Sequence, residues 1–279
     1  FTFAHAPVRG LLVQLEASWQ DVLSRHLYPP AVREWLGQLL AGAALLGSNL
    51  KAAGQVIVEL RRTGPLRLLV ADNRAGSTLR GLARWEEPLP AGAWQELLGD
   101  GRLVITLDAR GDGRRYQGIV ELDPGGLAPT LEHYFASSEQ LPGWILLAAD
   151  GTRAAGLLLQ RLPGSPSADT AAQWDHVLAL AGTTRAQELL HLEPARLLGR
   201  LFGDQDLRLL AAQTLHFGCS CSVQRVEATL LALGRAELES LLAERGGIDV
   251  DCEFCNQHYR FDRAAVGRLL AELGDGSLH

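Results

Sequence analysis

The four cysteines of this chain are the residues best suited to chemistry, and they form two close pairs, Cys219-Ser-Cys221 and Cys252-Glu-Phe-Cys255. Zinc favours four soft ligands in a tetrahedron, and two thiol pairs at the ends of a folded insert can supply them. We therefore predict one Zn²⁺ per chain, bound by Cys219, Cys221, Cys252 and Cys255 in the reduced protein. Two pairs of free structural cysteines, or a constitutive disulfide framework, are the alternatives.

The first cysteine pair is unusually tight, because only Ser220 separates its thiols. Adjacent dithiols are also potential disulfides, and their oxidation would remove the thiolate ligands of a bound metal. Zinc binding at small thiolate sites supplies roughly 10–16 kcal/mol of folding free energy, so a small module that loses its metal should unfold. A purely structural site predicts the same ion without a useful response to oxidant. His216 and His258 lie nearby, and we expect both outside the four-cysteine shell.

Helix and turn signals surround the two cysteine pairs. Ser222 is a good N-cap for a helix that Gly234 interrupts, and a second helix from Ala236 ends at Gly246. A strand containing Ile248 and Val250 leads into the second pair, and a strand with Tyr259 and Phe261 leads out of it. Asp262 then caps a final helix. The elements that must position the cysteines therefore predict a small folded module.

The N-terminal part of the chain reads as α+β. Small residues in a helix predicted over 31–50 indicate close packing against another element. Alternating apolar residues predict strands at 55–61, 66–71, 79–85, 103–108, 116–122, 144–149 and 154–160, with turns at Thr63-Gly64-Pro65, 110–113 and Asp150-Gly151, and a helix over 130–138. Because the strands come as hairpins, a mixed or antiparallel sheet with packed helices is favoured over a doubly wound fold.

A composition change at Leu162-Pro-Gly-Ser-Pro-Ser167 marks a domain boundary. Beyond it we predict short helices without strands, starting at Asp169 or Thr170, at Thr184 with Gln187 in a capping box, and at Pro194. Helices this short need a docking partner. We predict three parts: an α+β core over 1–165, a metastable helical linker over 166–214 and a four-cysteine module over 215–279.

Composition argues against several functional classes. The net charge of −6 disfavours attachment to nucleic acid or to anionic membranes, and the longest apolar run, Leu39–Leu46, is too short to span a bilayer. The first ten residues do not resemble a signal peptide, so we expect a soluble cytoplasmic protein. The clustered cysteines indicate a reducing compartment.

Rival functions rest on weaker patterns. The sequence contains no P-loop, no Gly-x-Ser-x-Gly and no His-Glu-x-x-His motif, so we predict no catalytic residues and no enzyme. An enzyme site would have to use isolated groups, namely Asp108, Asp112, Glu132 and His133. A zinc-module nucleic-acid binder is the stronger rival, based on Arg260, Arg263 and Arg268. Acidic residues surround these arginines, which favours a solvated face without nucleic acid.

The cysteine motifs occur in segments that resemble a known family. The segments 216–227 (HFGCSCSVQRVE) and 243–261 (AERGGIDVDCEFCNQHYRF) look like the zinc module of the 33 kDa chaperonin (heat shock protein 33) family. Further segments resemble the family in the same order: HLYPP at 26–30, GPLR at 64–67, RGLAR at 80–84, RYQG at 115–118, LEHYF at 131–135 and SEQLP at 138–142. The resemblance covers essentially the whole chain.

This resemblance implies a redox-regulated, ATP-independent holdase chaperone of the bacterial cytoplasm. It implies that oxidation forms the disulfides Cys219–Cys221 and Cys252–Cys255, releases zinc, unfolds the linker and produces a homodimer that holds unfolding client proteins during oxidative stress. Apolar residues that are merely docked in the reduced protein would then form the client-binding surface. We assign to that surface Trp174, Val177, Leu178, Leu189, Leu190, Leu197, Leu198, Leu201 and Phe202.

Overall fold

Two units make up this computed structural model, Phe1–Gly218 and Cys219–His279. The described residues are 1–48, 54–61, 64–74, 77–89, 101–108, 115–138, 140–163 and 168–275. Four predicted features fall partly or wholly outside them: the helix end at 50, the turn residue Thr63, the turn at 110–113 and the boundary residues 164–167. The predicted three-part division of the chain remains a prediction.

The first unit contains helices of 6 to 18 residues and two sets of strands. Its strands are β1 (Thr2–Phe3), β2 (Val8–Leu15), β3 (Gln55–Arg61), β4 (Leu66–Arg74), β5 (Thr78–Trp85), β6 (Arg102–Asp108), β7 (Arg115–Glu121), β8 (Gly143–Ala149), β9 (Ala154–Arg161), β10 (Leu207–Arg208) and β11 (His216–Phe217). Its helices are α1 (Ala17–Leu23), α2 (Pro30–Gly47), α3 (Leu127–Ser138), α4 (Ala168–Ala181), α5 (Ala186–His191) and α6 (Pro194–Phe202).

The strands form two sheets. One has the order β10-β1-β2-β9-β8, and the other has the order β11-β5-β4-β3-β6-β7. The pairs are antiparallel except for β11, which lies parallel to β5 and makes the second sheet mixed. The long central pair β2–β9 runs in register from Val8 opposite Arg161 to Leu15 opposite Ala154. The predicted α+β class with packed helices is confirmed.

Helix α2 lies between the two sheets and explains why its sequence is so rich in small residues. Its buried face joins side chains of both sheets in one core cluster, for example Leu15 and Leu158 from the first sheet and Val58 from the second. At Gly37 an added Cβ would lie 2.4 Å from the Cβ of Ala149, so a larger residue could not approach the sheet as closely. This cluster is the main core of the unit.

The opposite face of the five-stranded sheet is covered by α4, α5 and α6, the helices of the predicted linker. Val8, Leu157 and Leu159 of the sheet share a second buried cluster with these helices. Because successive residues of a strand point to opposite faces, β9 contributes Leu158 to the main core and its two neighbours to the linker cluster. The linker thus closes a sheet face that would otherwise be apolar and exposed.

Two linker predictions were wrong. The linker over 166–214 was expected to contain no strands, but β10 pairs with β1. Just after the linker, β11 pairs with β5 and was not predicted either. Such two-residue strands carry no periodic signal, because their pairing depends on distant edges. The second linker helix begins after Arg185 instead of Thr184, and Glu188, not Gln187, accepts the N–H of Arg185 at 2.9 Å. The Thr184 hydroxyl instead donates to the carbonyl of Ala181.

The second unit is built from α7 (Val223–Leu233), α8 (Arg235–Arg245), the hairpin β12 (Gly247–Asp251) and β13 (His258–Asp262), and α9 (Arg263–Asp275). The predicted caps are found. Ser222 Oγ accepts the N–H of Arg225 at 3.3 Å, Gly246 ends α8 with a φ of 70°, and Asp262 accepts the N–H of Ala265 at 2.7 Å. Local capping chemistry therefore sets the helix limits in this unit.

None of the helices in the described ranges combines the length and the apolar character that crossing a membrane would require.

Candidate metal centre

The four cysteine sulfurs come together at one point of the second unit, and all lie within 4.8 Å of one another. Sγ of Cys219 lies 3.6 Å from Sγ of Cys252, and Sγ of Cys221 lies 3.3 Å from Sγ of Cys255. Zn–S bonds of about 2.3 Å place neighbouring sulfurs of a tetrahedron about 3.8 Å apart, whereas a disulfide needs about 2.05 Å. The spacing matches a metal site formed by free thiols.

The loop of the second pair is folded tightly around its sulfurs. The N–H groups of Cys255 and Asn256 donate to the carbonyl of Cys252 at 3.2 and 2.7 Å, and Cys252 donates to the carbonyl of Gln257 at 2.9 Å. Asn256 has a φ of 58°, a left-handed conformation that asparagine tolerates better than most residues. The strands β12 and β13 hold both ends of this loop, so the pair is positioned by a hairpin.

The sulfurs of Cys252 and Cys255 are crowded enough to resist ionisation without a cation. Burial, together with the neighbouring Cys221, Cys252 and Cys219, raises the pKa of the Cys255 thiol to about 12. Burial also raises the pKa of Cys252, although the N–H groups of Cys255 and Phe254 partly offset this effect. Four adjacent thiolates therefore require a positive charge among them. A soft divalent ion such as Zn²⁺ fits this donor set and would leave a net charge of −2.

Polar neighbours surround the sulfur cluster. A hydrogen bond to the Cys221 sulfur raises the pKa of Tyr259 to about 12. Nη1 of Arg225 donates to the Ser220 hydroxyl at 2.5 Å and so ties the first turn of α7 to the residue between the first two cysteines. These contacts orient the loop that carries the first pair.

The two histidines near the motif do not belong to the cluster of metal-type ligands. His258 lies between two carboxylates, with Nδ1 2.7 Å from Asp251 and Nε2 3.2 Å from Asp249, and these contacts raise the pKa of the imidazole. His216 is exposed on β11 of the first unit.

The second unit has little core apart from the sulfurs. Six apolar side chains are buried among its described residues: Leu230, Leu238, Ile248, Phe261, Val266 and Leu269. Full burial of such a side chain contributes about 1.5–3 kcal/mol, which the entropy of ordering the chain largely cancels. A metal bound by the four cysteines would therefore supply a large share of this unit's stability.

All nine residues assigned to a client-binding surface meet in the linker cluster of the first unit. Seven are buried there: Val177, Leu189, Leu190, Leu197, Leu198, Leu201 and Phe202. Trp174 and Leu178 are partly buried against the same cluster. The structure thus brings these residues together on one sheet face, and their role in binding clients remains a prediction.

Sequence reasoning missed the polar contacts that hold α5 on the sheet. The side-chain amide of Gln14 donates to the carbonyls of Leu189 at 2.7 Å and Leu192 at 2.8 Å, and Arg153 donates to the carbonyl of Leu190 at 3.2 Å. These are carbonyls at the C-terminal end of α5 that the short helix leaves without intrahelical partners. The only available signal was a glutamine inside the otherwise apolar run Leu11–Leu15.

One further ion pair joins α5 to the hairpin loop between β8 and β9. Nε2 of His191 lies 3.0 Å from a carboxylate oxygen of Asp150. Burial alone would raise the pKa of Asp150, but hydrogen bonds from Thr152 and Arg153, together with His191, hold it below its usual value. Asp150 therefore stays ionised where it faces the end of the linker helix.

The groups considered for an enzyme site have separate partners. Asp108 pairs with Arg115 at 3.7 Å, His133 lies 3.7 Å from Asp123, and Glu132 accepts the N–H of Ile145 at 2.6 Å. Asp112 lies outside the described residues. Of the arginines considered for nucleic-acid binding, Arg260 lies 4.0 Å from Asp249.

Comparisons with known proteins agree with the resemblance. A family model described as Hsp33 protein matches residues 1–262. The 33 kDa chaperonin of Nitrosococcus oceani is 46% identical over 272 residues, which cover 98% of this chain and 93% of that relative. That of Ectopseudomonas mendocina is 46% identical over 280 residues, covering 98% and 95%. The crystal structure of the Thermotoga maritima 33 kDa chaperonin matches with a TM-score of 0.83 and 25% identity, covering 96% of this chain and 95% of that one.

Proposed function

The chain belongs to the Hsp33 family, and we propose that it is a chaperone whose four cysteines switch it from an inactive, zinc-bound form to a form that holds unfolding proteins. Its curated relatives are named chaperonins, so it is a chaperone and not an enzyme. The observation that carries the redox part is the sulfur cluster, with all four Sγ atoms within 4.8 Å in a unit with a small core. We place the active protein in the cytoplasm, where thiols are kept reduced until stress.

The switch is a two-electron oxidation at each cysteine pair. In the reduced form a bound Zn²⁺ would offset the charges of the four thiolates and stabilise the fold. With hydrogen peroxide, Cys219 and Cys221 lose two electrons and form one S–S bond, Cys252 and Cys255 form the other, and two peroxide molecules take up four protons to give four waters. The four sulfurs then no longer carry the charge that holds a cation, so the second unit loses its main source of stability.

The linker is the element that would pass this change to the first unit. Helices α4, α5 and α6 have 14, 6 and 9 residues, lengths at which isolated helices are marginal in water. The chain just before Cys219 is held on β5 by two hydrogen bonds, from His216 N–H to Ser77 and from Gly218 N–H to Leu79. Unfolding that begins at the cysteines reaches this attachment first, because the two segments are consecutive in the chain.

Release of the linker would expose two apolar surfaces at once. One is the helix face with Leu197, Leu198, Leu201 and Phe202, and the other is the sheet face with Val8, Leu157 and Leu159. Contiguous apolar patches of this kind bind other apolar surfaces, and an unfolding protein presents such surfaces. The client class is therefore any protein that exposes core residues under heat and oxidant.

The test is aggregation of a thermally unfolding client, with the zinc content of the chaperone measured on the same sample. The reduced protein should retain one zinc and suppress little aggregation, and the peroxide-treated protein should lose zinc and suppress aggregation. Oxidised protein that loses zinc yet leaves aggregation unchanged would refute the switch. A salt-dependent complex with RNA, in place of client holding, would favour the nucleic-acid alternative.

A substitution separates linker release from zinc loss. The doubly charged variant Leu197→Glu with Leu201→Glu should undock the linker while the four cysteines stay reduced, and should give partial holdase activity with zinc bound. Leu210→Glu is the matched control, because Leu210 is 64% exposed in the same linker. If the double variant has an undocked linker and retains zinc but never suppresses aggregation, linker release is not the activating event.

A further inference from the structure

Strand β7 ends the six-stranded sheet, and among the described strands it pairs with β6 alone. It exposes two large apolar side chains, Tyr116 (52%) and Ile119 (59%), beside Arg115, Gln117 and Glu121, which are also exposed. A long edge strand with apolar side chains promotes pairing with other chains, so proteins normally cover or blunt such an edge. Here the described structure leaves it open.

The sequence of β7 is complementary to itself. If β7 pairs antiparallel with the same strand of a second copy about Gly118, Arg115 lies opposite Glu121 of the second copy, and Glu121 lies opposite its Arg115. Tyr116 lies opposite Val120, and Gln117 lies opposite Ile119. The two-fold symmetry produces each favourable pair twice, as a closed dimer requires.

The neighbouring strand extends this complementarity. In each copy Arg102 of β6 lies opposite Glu121, and Asp108 lies opposite Arg115. Across the joined edge, one row of the sheet would therefore read Arg102 and Glu121 from one copy, then Arg115 and Asp108 from the other. The charges alternate in sign across all four strands, and opposite charges on cross-strand neighbours stabilise a sheet.

We infer that β7 is the edge through which two copies of this chain dimerise, joining their six-stranded sheets into one. The inference rests on the proposed function for its trigger alone. An interface made by one seven-residue strand from each copy buries less than the roughly 1,200 Å² of a stable complex, so the reduced dimer should be weak. Oxidation, the trigger that the proposed function supplies, is the condition under which we expect the dimer to be populated.

Charge reversal tests the register. Arg115→Glu places a glutamate opposite Glu121 of the second copy, and Glu121→Arg places an arginine opposite Arg115, so each single variant creates two like-charged pairs. Dimer dissociation constants of the full-length, peroxide-treated chains are measured by sedimentation velocity. We expect each variant to dimerise about tenfold more weakly than the wild type. Arg61→Glu, an exposed reversal on the central strand β3 of the same sheet, should leave the constant unchanged.

Mixing the two variants gives the decisive result. An equimolar mixture of the two variants also allows a heterodimer of one Arg115→Glu copy with one Glu121→Arg copy, and it is compared with each variant alone. One of the two cross-copy pairs then joins the substituted glutamate to the substituted arginine, and the other joins the native Glu121 to the native Arg115. Both pairs are of opposite charge, so an equimolar mixture should dimerise as tightly as the wild type. Single variants that dimerise like the wild type, or a mixture no tighter than its components, would overturn the inference.

A second measurement needs no substitution. Amide hydrogen exchange of the wild type should slow across 115–121 as the dimer forms, because the open edge gains main-chain hydrogen bonds. Unchanged exchange there, in a sample shown to be dimeric, would also overturn the inference. Zinc release and aggregation suppression measured on the same oxidised samples test the proposed function separately, since both can succeed while β7 has no role.

Discussion

In the first unit, one buried cluster joins both sheets to α2 and a second joins the linker helices to the sheet, whereas the cysteine unit buries six apolar side chains among its described residues. The first unit is therefore stable through packing that no ligand controls. We expect the second unit to depend on a metal ion bound by its four sulfurs. On this proposal, a single chain combines a permanent core, which packing alone maintains, with a unit that oxidation of its cysteines would unfold.

The linker helices α4, α5 and α6 combine a well-buried apolar face with weak local stability. The apolar face of the linker is buried as completely as the main core, with Leu189 and Leu197 fully inaccessible. Its helices are short, however, and α5 is held by side chains of the sheet and of the hairpin loop between β8 and β9. Burial alone therefore does not identify the layer that we expect to detach. The length of the helices and the origin of their terminal hydrogen bonds do.

The largest effect should follow from Cys252→Ser. Loss of one of four thiolates should lower zinc affinity more than the 10- to 100-fold typical of losing an outer hydrogen-bond partner. Because a bound zinc would supply much of the second unit's stability, hydrogen exchange should rise throughout residues 219–275, while exchange in the main core of the first unit stays slow.

The control for this substitution is Ser240→Ala, which changes an exposed hydroxyl on α8 of the same unit. It should keep full zinc stoichiometry and wild-type exchange rates. If Cys252→Ser also binds one zinc as tightly as the wild type, the residue is not a ligand, and the contrast between the two units has another origin.

Features decided by neighbouring residues were predictable from the sequence. Ser222, Gly246 and Asp262 cap helices as expected, because the capping hydrogen bond or the left-handed turn involves residues within one helical turn. The clustering of the four cysteines was predictable for a related reason. Two cysteines that are separated by one or two residues must lie close together in space, so only the meeting of the two pairs had to be inferred.

Features decided by distant residues were not predictable. β11 exists because His216 lies beside Thr78 on the edge of β5, far away in the chain. The role of Gln14 depends on the C-terminal carbonyls of α5, which the sequence does not connect to β2. Both contacts hold the linker in place, so the sequence alone identified its apolar residues but not its attachment.

A smaller effect tests that attachment. Gln14→Ala removes both amide donors from the carbonyls of Leu189 and Leu192, and leaving buried groups unpaired costs about 1–3 kcal/mol. Hydrogen exchange of α5 should increase roughly tenfold, with zinc still bound and the cysteines reduced. Gln20→Ala is matched to it, since Gln20 donates to the carbonyls of Gly151 and Thr152 and not to the linker. Equal exchange in α5 for both variants would show that Gln14 does not hold the linker.

The smallest effect concerns the pH dependence of the permanent core. Burial raises the pKa of Glu132 above its ordinary value of 4.5, although the N–H of Ile145 partly offsets this. A raised pKa in the folded state means that the protonated carboxyl is favoured there. Its contribution to stability is therefore present below pH 4.5 and is lost as pH rises through the higher folded pKa.

Glu132→Gln should remove this dependence, because a neutral amide oxygen can still accept the N–H of Ile145. All six tryptophans lie before Gly218, so tryptophan fluorescence follows unfolding of the first unit alone. In denaturant titrations between pH 4 and pH 7, the stability difference between variant and wild type should shift in the variant's favour as pH rises. Glu34→Gln, at an exposed position of α2, should show no such trend. A constant difference for Glu132→Gln would mean that this carboxyl carries no burial penalty, and the first unit would then be insensitive to pH at this site.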